Sequence, residues 1–146
     1  MKKILILCTG NSCRSIMAEA QINHYLSDSW QAFSAGTHPS QVHPRALQVL
    51  QEKGIDTSYL SSKGIMEFFY MEDIDLVVTV CDHAKANCPI FPRLVKSIHI
   101  GIEDPVIYGN ATEEEHLAKF RACRDTIKSK IVDRLETEDI GADKTR

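Results

Sequence analysis

The sequence predicts an α/β domain of three layers: a mostly parallel, roughly four-stranded sheet with helices on both faces, carrying a phosphate-binding type of loop after its first strand. Two observations carry that expectation. Apolar runs of strand length alternate along the chain with stretches of helical spacing. The strongest run, Leu76-Val-Val-Thr-Val80, lacks any polar alternation, the pattern of a strand covered on both faces in a parallel sheet.

Each element has its own signal. Lys3-Ile-Leu-Ile-Leu-Cys8 is a short apolar run without helical period and reads as a buried strand. Thr9-Gly10-Asn11-Ser12 makes a polar turn, and from about Ser15 the spacing becomes helical, with Ile16, Ala20, Asn23 and Leu26 along one side. Strand, tight loop and helix open a βαβ unit. Ala32-Phe-Ser-Ala35 is a weaker second strand ending at Gly36. The second helix begins with Pro44, spaces Ala46, Leu47, Val49 and Leu50 helically, and stops at Gly54. A third strand, Ile74 to Val80, ends at Cys81. A short helix-compatible stretch and the breakers Pro89 and Pro92 come next, then the strand Ser97-Ile-His-Ile100, closed by Gly101 and the Asp104-Pro105 loop. Thr112 and Glu115 form a capping box for a long last helix, with Leu117, Phe120, Cys123, Ile127, Ile131 and Leu135 on its apolar face. Residues 137–146 read as a frayed polar tail on a single domain spanning 1–146.

Composition narrows the function. A chain of 146 residues buries about two-thirds of its unfolded surface without staples. Hydrophobic and charged shares of 43% and 25% exclude disorder, collagen-like repeats and a membrane-spanning fold. Net charge −3 with a pI near 6.0 provides no basic footprint, so nucleic acid is not an expected partner. The apolar run Ile4 to Leu7 is too short for a signal peptide, and the polar Asn11 and charged Arg14 soon interrupt it. The five cysteines, Cys8, Cys13, Cys81, Cys88 and Cys123, are an odd count that suits no closed disulfide framework. The expectation is a monomer in the reducing cytoplasm, away from membranes, some of whose thiols do chemistry.

In parallel sheets the ligand crevice lies beyond the carboxyl ends of the strands. That rule puts Cys8, Cys81 and the Asp104 loop on one rim. Cys8-Thr-Gly-Asn-Ser-Cys-Arg14-Ser15 stands between strand and helix. Thr9, Gly10, Asn11, Ser12, Cys13 and Arg14 can curl with backbone N–H groups inward, and the helix start adds positive potential, which suits a tetrahedral oxyanion. Arg14 offers a planar fork for two of its oxygens. Cys8, beside an arginine and a helix start, is expected as a thiolate, with Ser15 donating to it or to the leaving sulfur. A lone cysteine at a strand end is usually a packing residue; here spacing, Gly10 and context coincide.

Together with Met17-Ala-Glu19, this stretch resembles the signature of low-molecular-weight protein tyrosine phosphatases, and more closely that of the thioredoxin-coupled arsenate reductases that share their fold. The resemblance extends through Ser34-Ala-Gly36, His43-Pro44, Gly54-Ile-Asp56, Asp75-Leu-Val-Val-Thr79 and Asp104-Pro105, and so covers most of the chain. It implies that Cys8 attacks arsenic in line and that Asp104, held by Pro105, protonates the departing oxygen. On its own, Asp-Pro is a common turn pair.

A phosphatase lets water resolve the cysteinyl adduct, whereas reducing arsenate to arsenite needs two electrons that a second thiol can supply. The resemblance implies that Cys81 attacks Cys8 and releases arsenite, that Cys88 then attacks Cys81, and that thioredoxin, or another dithiol reductant such as a glutaredoxin-linked one, reduces the final disulfide. Ala84, Lys85 and Ala86 between the two cysteines favour helix. In a helix the two Cα atoms would stand about 10 Å apart, against the roughly 4.4–6.8 Å of a disulfide, so oxidation must unwind the segment. A zinc site at Cys81, His83 and Cys88 fails the usual ligand spacing and stops at three natural ligands, so no metal is expected there. Cys13 and Cys123 read as packing thiols.

Two departures from the family pattern matter. Its arsenate reductases often hold potassium near the loop, at residues matching Asn11 and Glu19 and a Ser/Thr-x-Asp segment. Here that segment is Ser61-Ser62-Lys63. With Lys63 replacing the acidic ligand, an ammonium is expected in the cation site, with no tightly bound cofactor and little potassium dependence. The family's phosphatases place an aromatic residue after Asp-Pro to grip a phenol; here Val106 stands after the pair and only Tyr108 is near. Weak aryl-phosphate hydrolysis is expected, efficient phosphotyrosine turnover is not. The alternatives are a phosphatase working through a Cys8 phospho-enzyme, with the other cysteines guarding Cys8; a phosphocarrier of a sugar transport system, which has no need of Arg14; and a silent anion-binding module.

Overall fold

The computed structural model describes residues 1–86 and 95–137. Its sheet has four strands in the order β2-β1-β3-β4, with β1 at Lys2–Cys8, β2 at Trp30–Gly36, β3 at Leu76–Thr79 and β4 at Lys96–His99. All three pairings are parallel, so the sheet is more uniform than "mostly parallel" required. Cys8 pairs with Gly36, Leu7 with Thr79, and Thr79 with His99. The carboxyl ends of all four strands therefore meet at one rim. Ile4 to Leu7 and Leu76 to Val78 are wholly buried, as their unbroken apolar runs require.

The helices are α1 (Arg14–Tyr25), α2 (Pro44–Gln51), α3 (Asp82–Ala86), α4 (Glu113–Ile127) and α5 (Asp133–Thr137). They complete the expected three-layer α/β architecture: α1, α2 and α4 pack on one another, and α3 packs on β1 and β3. Pro44 is the first residue of α2, and Gly54 beyond its end has φ +71°, a conformation that favours glycine. The capping box is present: Thr112 Oγ1 accepts from Glu115 N at 3.1 Å, and Glu115 Oε1 accepts from Thr112 N at 2.9 Å.

Several features differ from the sequence expectation. β2 starts at Trp30 rather than Ala32, because the ring is buried and Lys2 pairs opposite it. β3 is shorter than Ile74–Val80, although both end residues stay buried. The last helix is broken by a π-helical turn at Lys128–Val132. The extra residue in that turn lets the adjacent Ile131 and Val132 both face inward before Leu135. Arg124, on the face read as apolar, is also buried: Nη1 donates to the Val49 carbonyl at 2.9 Å and to Glu52 Oε1 at 3.0 Å, and Gln21 Nε2 donates to the Arg124 carbonyl at 3.0 Å. One residue, through its side chain to the end of α2 and its carbonyl to α1, thereby ties α1, α2 and α4 together.

Thr137, the start of the expected tail, closes α5 through a bond from its hydroxyl to the Asp133 carbonyl at 2.8 Å. The rest of that tail, and the segment 87–94 with Cys88, Pro89 and Pro92, lie outside the described residues. Among the described residues no helix is long and apolar enough to cross a membrane.

Candidate active site

The rim site is built on the loop between β1 and α1. Its carbonyls are engaged by the segment after β2: Cys8 O accepts from Thr37 N at 3.1 Å, Thr9 O from His38 N at 2.8 Å, Gly10 O from Ser40 N at 2.9 Å, and Ser12 O from His43 N at 3.0 Å. With the carbonyls so used, N–H groups are left for the concave side, and that of Asn11 donates to Cys8 Sγ at 3.2 Å. Asn11 has φ +49° and is fully buried; asparagine is among the few residues that visit this region. Its Nδ2 donates to Ser15 Oγ at 2.7 Å and to Ser34 Oγ at 2.9 Å, and its Oδ1 accepts from Lys63 N at 2.7 Å. Gly36 packs so closely beneath the loop that a Cβ there would stand 2.5 Å from Thr9 O and 2.8 Å from Asn11 N.

Cys8, at the end of β1, is buried with Sγ 2.8 Å from Ser15 Oγ. Because Ser15 already accepts from Asn11, its own proton is left to donate to the sulfur. Arg14, the first residue of α1, reaches across the rim, and Nη1 donates to the Ile102 carbonyl at 3.1 Å. The loop and the Asp104 segment enclose a cleft of about 370 Å³ lined by Cys8, Thr9, Gly10, Ser12, Cys13, Arg14, Asp104, Val106 and Tyr108. Asp104 Oδ1 accepts from Val106 N at 3.0 Å, and Oδ2 accepts from the Tyr108 hydroxyl at 3.1 Å. The loop residues other than the buried Asn11, the arginine and the carboxyl singled out in the sequence thus line one cavity.

Cys81 sits beside this cavity rather than in its wall. It is buried, with Sγ 3.2 Å from Thr9 Oγ1 and 3.4 Å from Ala84 N, which donates to it. Thr9 therefore touches both the cleft and the second thiol. Cys88 lies outside the described residues. Burial pushes the Cys13 thiol up to about 11 and the Cys123 thiol up to about 12. Both are protonated at neutral pH, in keeping with packing rather than nucleophilic roles.

Lys63 and Glu19 meet behind the loop. Lys63 Nζ stands 3.6 Å from Glu19 Oε1 and donates to the Ser61 carbonyl at 2.6 Å. Burial pushes the Glu19 carboxyl up, against the pull of the Ser34 hydroxyl and the Lys63 ammonium. Ser34 and His43 enter the sequence reading only within matched motifs, with no role of their own. Ser34 donates to Glu19 Oε1 at 2.5 Å while accepting from Asn11; a serine in an otherwise apolar strand is the local signal for such a partner. The contact of Thr9 with Cys81 has no local signal, since 72 residues separate the two.

Residues 3–144 match the family model of low molecular weight phosphotyrosine protein phosphatases. The arsenate reductase of Bacillus subtilis (strain 168) is 42% identical over 136 residues, spanning 93% of this chain and 96% of that relative. Among solved structures, an arsenate reductase in the phosphate binding state aligns with TM-score 0.72 and 28% identity, covering 93% of this chain and 98% of the other. The thioredoxin-dependent arsenate reductase of Corynebacterium glutamicum aligns with TM-score 0.61 and 26% identity, covering 91% of this chain and 63% of the other.

The close approach at Gly36 predicts that Gly36→Ala displaces the loop without opening the core. Phosphate affinity measured by calorimetric titration is expected to fall at least about tenfold, a loss of roughly 1.4 kcal/mol. Unchanged affinity would mean that β2 does not set the loop's shape.

Proposed function

This chain belongs to the low molecular weight phosphotyrosine protein phosphatase family, and from that premise we propose that it is an arsenate reductase working by a three-cysteine relay. The observation that carries the reading is the pairing of two thiols on one loop: Cys8 Sγ bonded to Asn11 N and Ser15 Oγ, and Cys81 Sγ bonded to Thr9. Hydrolysis alone makes no use of the second.

In this reading arsenate enters the cleft with its oxygens on the loop N–H groups and Arg14. The Cys8 thiolate attacks arsenic, and the departing oxygen leaves as water with a proton from Asp104. The Cys81 thiolate then attacks Cys8 Sγ. A sulfur–sulfur bond forms, the arsenic–sulfur bond breaks, and its electron pair stays on arsenic, which leaves as arsenite. Ala84 N and Thr9 Oγ1 support the attacking sulfur. Cys88 next attacks Cys81, freeing Cys8 as a thiolate and leaving a Cys81–Cys88 disulfide. We assign its reduction to thioredoxin, the dithiol protein named for the Corynebacterium glutamicum relative, and the reaction to the reducing cytoplasm. The same cradle accommodates phosphate, so slow aryl-phosphate hydrolysis accompanies the main reaction.

Two corollaries belong to this reading. α3 begins directly after Cys81, with Lys85 N donating to the Cys81 carbonyl at 3.0 Å; a helix carried on to Cys88 would hold the two cysteines too far apart for a disulfide, so in this reading the segment unwinds on oxidation. The Lys63 ammonium at Glu19 takes the part that potassium plays elsewhere in the family, so the loop keeps its shape without a metal ion.

Arsenate should drive NADPH consumption in the presence of thioredoxin and its reductase, while Cys88→Ser stops after about one arsenite per enzyme. Hydrolysis of aryl phosphate by a wild type that consumes no NADPH would show the reductase reading to be wrong. Hydrogen exchange across residues 82–86 should accelerate when the Cys81–Cys88 disulfide forms, and equal protection in both redox states would refute the unwinding. Replacing sodium by potassium is expected to change turnover less than about twofold; a several-fold rise would remove Lys63 from the cation's place.

A further inference from the structure

Asp104 has both carboxylate oxygens occupied from within its own turn. Oδ1 accepts from Val106 N, closing a local side-chain turn, and Oδ2 accepts from the Tyr108 hydroxyl. Tyr108 is 81% exposed. Its ring therefore contributes little to the core, yet its hydroxyl reaches back to the carboxyl at the cleft. The next residue, Gly109, has φ +129° and nothing within 4 Å of where a Cβ would be. A glycine there serves backbone direction rather than space, since side-chain-bearing residues rarely adopt that conformation.

We infer that Tyr108 is a positioning residue, whose hydroxyl aims the Asp104 carboxyl at the leaving oxygen of the substrate. The inference rests on the reading of Asp104 as the acid. An acid that must meet a departing oxygen within hydrogen-bond reach gains from having one orientation. The bond from Val106 N leaves Oδ2 as the oxygen still to be placed, and Tyr108 places it. This role differs from that of an aromatic wall for a phenol, which needs the ring and not the hydroxyl.

The phenol itself reports the contact. The Asp104 charge beside it, the hydrogen bond between them and, to a smaller degree, burial and Cys13 all push its titration above the ordinary tyrosine range, with Arg14 pulling the other way. These are the charged or titratable groups bearing on Tyr108, from its own loop and from the β1–α1 loop and the start of α1.

The decisive variant is Tyr108→Phe, which keeps the ring of an exposed residue and so should fold normally. kcat is expected to fall about three- to tenfold, with KM within about twofold, for arsenate reduction and for aryl-phosphate hydrolysis. Tyr108→Ala should behave like Tyr108→Phe, and neither should add to the defect of Asp104→Asn. The Tyr108 phenol, isolated by subtracting the ultraviolet titration of Tyr108→Phe, should titrate at lower pH in Asp104→Asn. The inference is overturned if that titration does not move, or if Tyr108→Phe matches wild type while Tyr108→Ala raises KM. A wild type that reduces no arsenate removes the reductase reading alone, because the phenol titration and the aryl-phosphate rates still decide the role of Tyr108.

Discussion

Asn11 holds a left-handed backbone and a fully buried amide side chain at the centre of the rim, and the site's geometry depends on the bonds that keep it there. A left-handed conformation costs about 1–2 kcal/mol, while three satisfied hydrogen bonds return about 1 kcal/mol each. With all three bonds, to Ser15, Ser34 and the Lys63 backbone, the balance favours the strained turn; with one lost, the return of about 2 kcal/mol only matches the upper end of that cost. Those partners come from α1, β2 and the segment crossing behind β2. The turn aims Asn11 N at Cys8 Sγ, and the amide orients Ser15 toward the same atom. The environment of Cys8 Sγ is thus a property of the tertiary fold rather than of the loop alone.

Parallel pairing explains why those partners arrive together. Cys8 opposite Gly36 and Leu7 opposite Thr79 bring the loops after β1, β2 and β3 to one edge. Gly36 can approach the loop because it has no side chain, and its bridge to Gly64 continues the sheet far enough to bring Lys63 beside Asn11. The ladder runs slightly past the strands: Val80 N donates to the Leu7 carbonyl at 3.0 Å and Ile102 N to the Val80 carbonyl at 2.9 Å. Only then does Cys81 turn beneath Thr9, and the chain beyond Ile102 carry Asp104 to the cleft.

What could be read from the sequence was what depends on neighbours along the chain. The apolar runs of β1 and β3, Pro44 at the start of α2, the Thr112–Glu115 box and the Cys8-to-Arg14 spacing are local, and each stands where its pattern implied. The π turn in the last helix, the burial of Arg124 and the contact of Thr9 with Cys81 depend on residues brought close only by folding. Arg124 illustrates the difference: the groups that receive its side chain, the Val49 carbonyl and Glu52, lie 75 and 72 residues away along the chain.

The five cysteines divide by environment rather than by number. Cys13 and Cys123 are held protonated by burial, with only long sulfur contacts to Ser12 Oγ and the Glu103 carbonyl. Cys8 and Cys81 are just as buried but have hydroxyl and N–H groups within reach of sulfur. Burial without close polar partners suits a packing thiol, whereas donors at the sulfur suit a thiol that does chemistry. The proposed relay also requires the supports of the two sulfurs to differ in kind. Cys8 must return to the same place each cycle and is held by a loop locked through three elements; Cys81 must change partners and stands at the start of a five-residue helix. In that proposal the movement falls to α3 and the chain after Cys81, while the cradle keeps its bonds to α1, β2 and the Lys63 backbone.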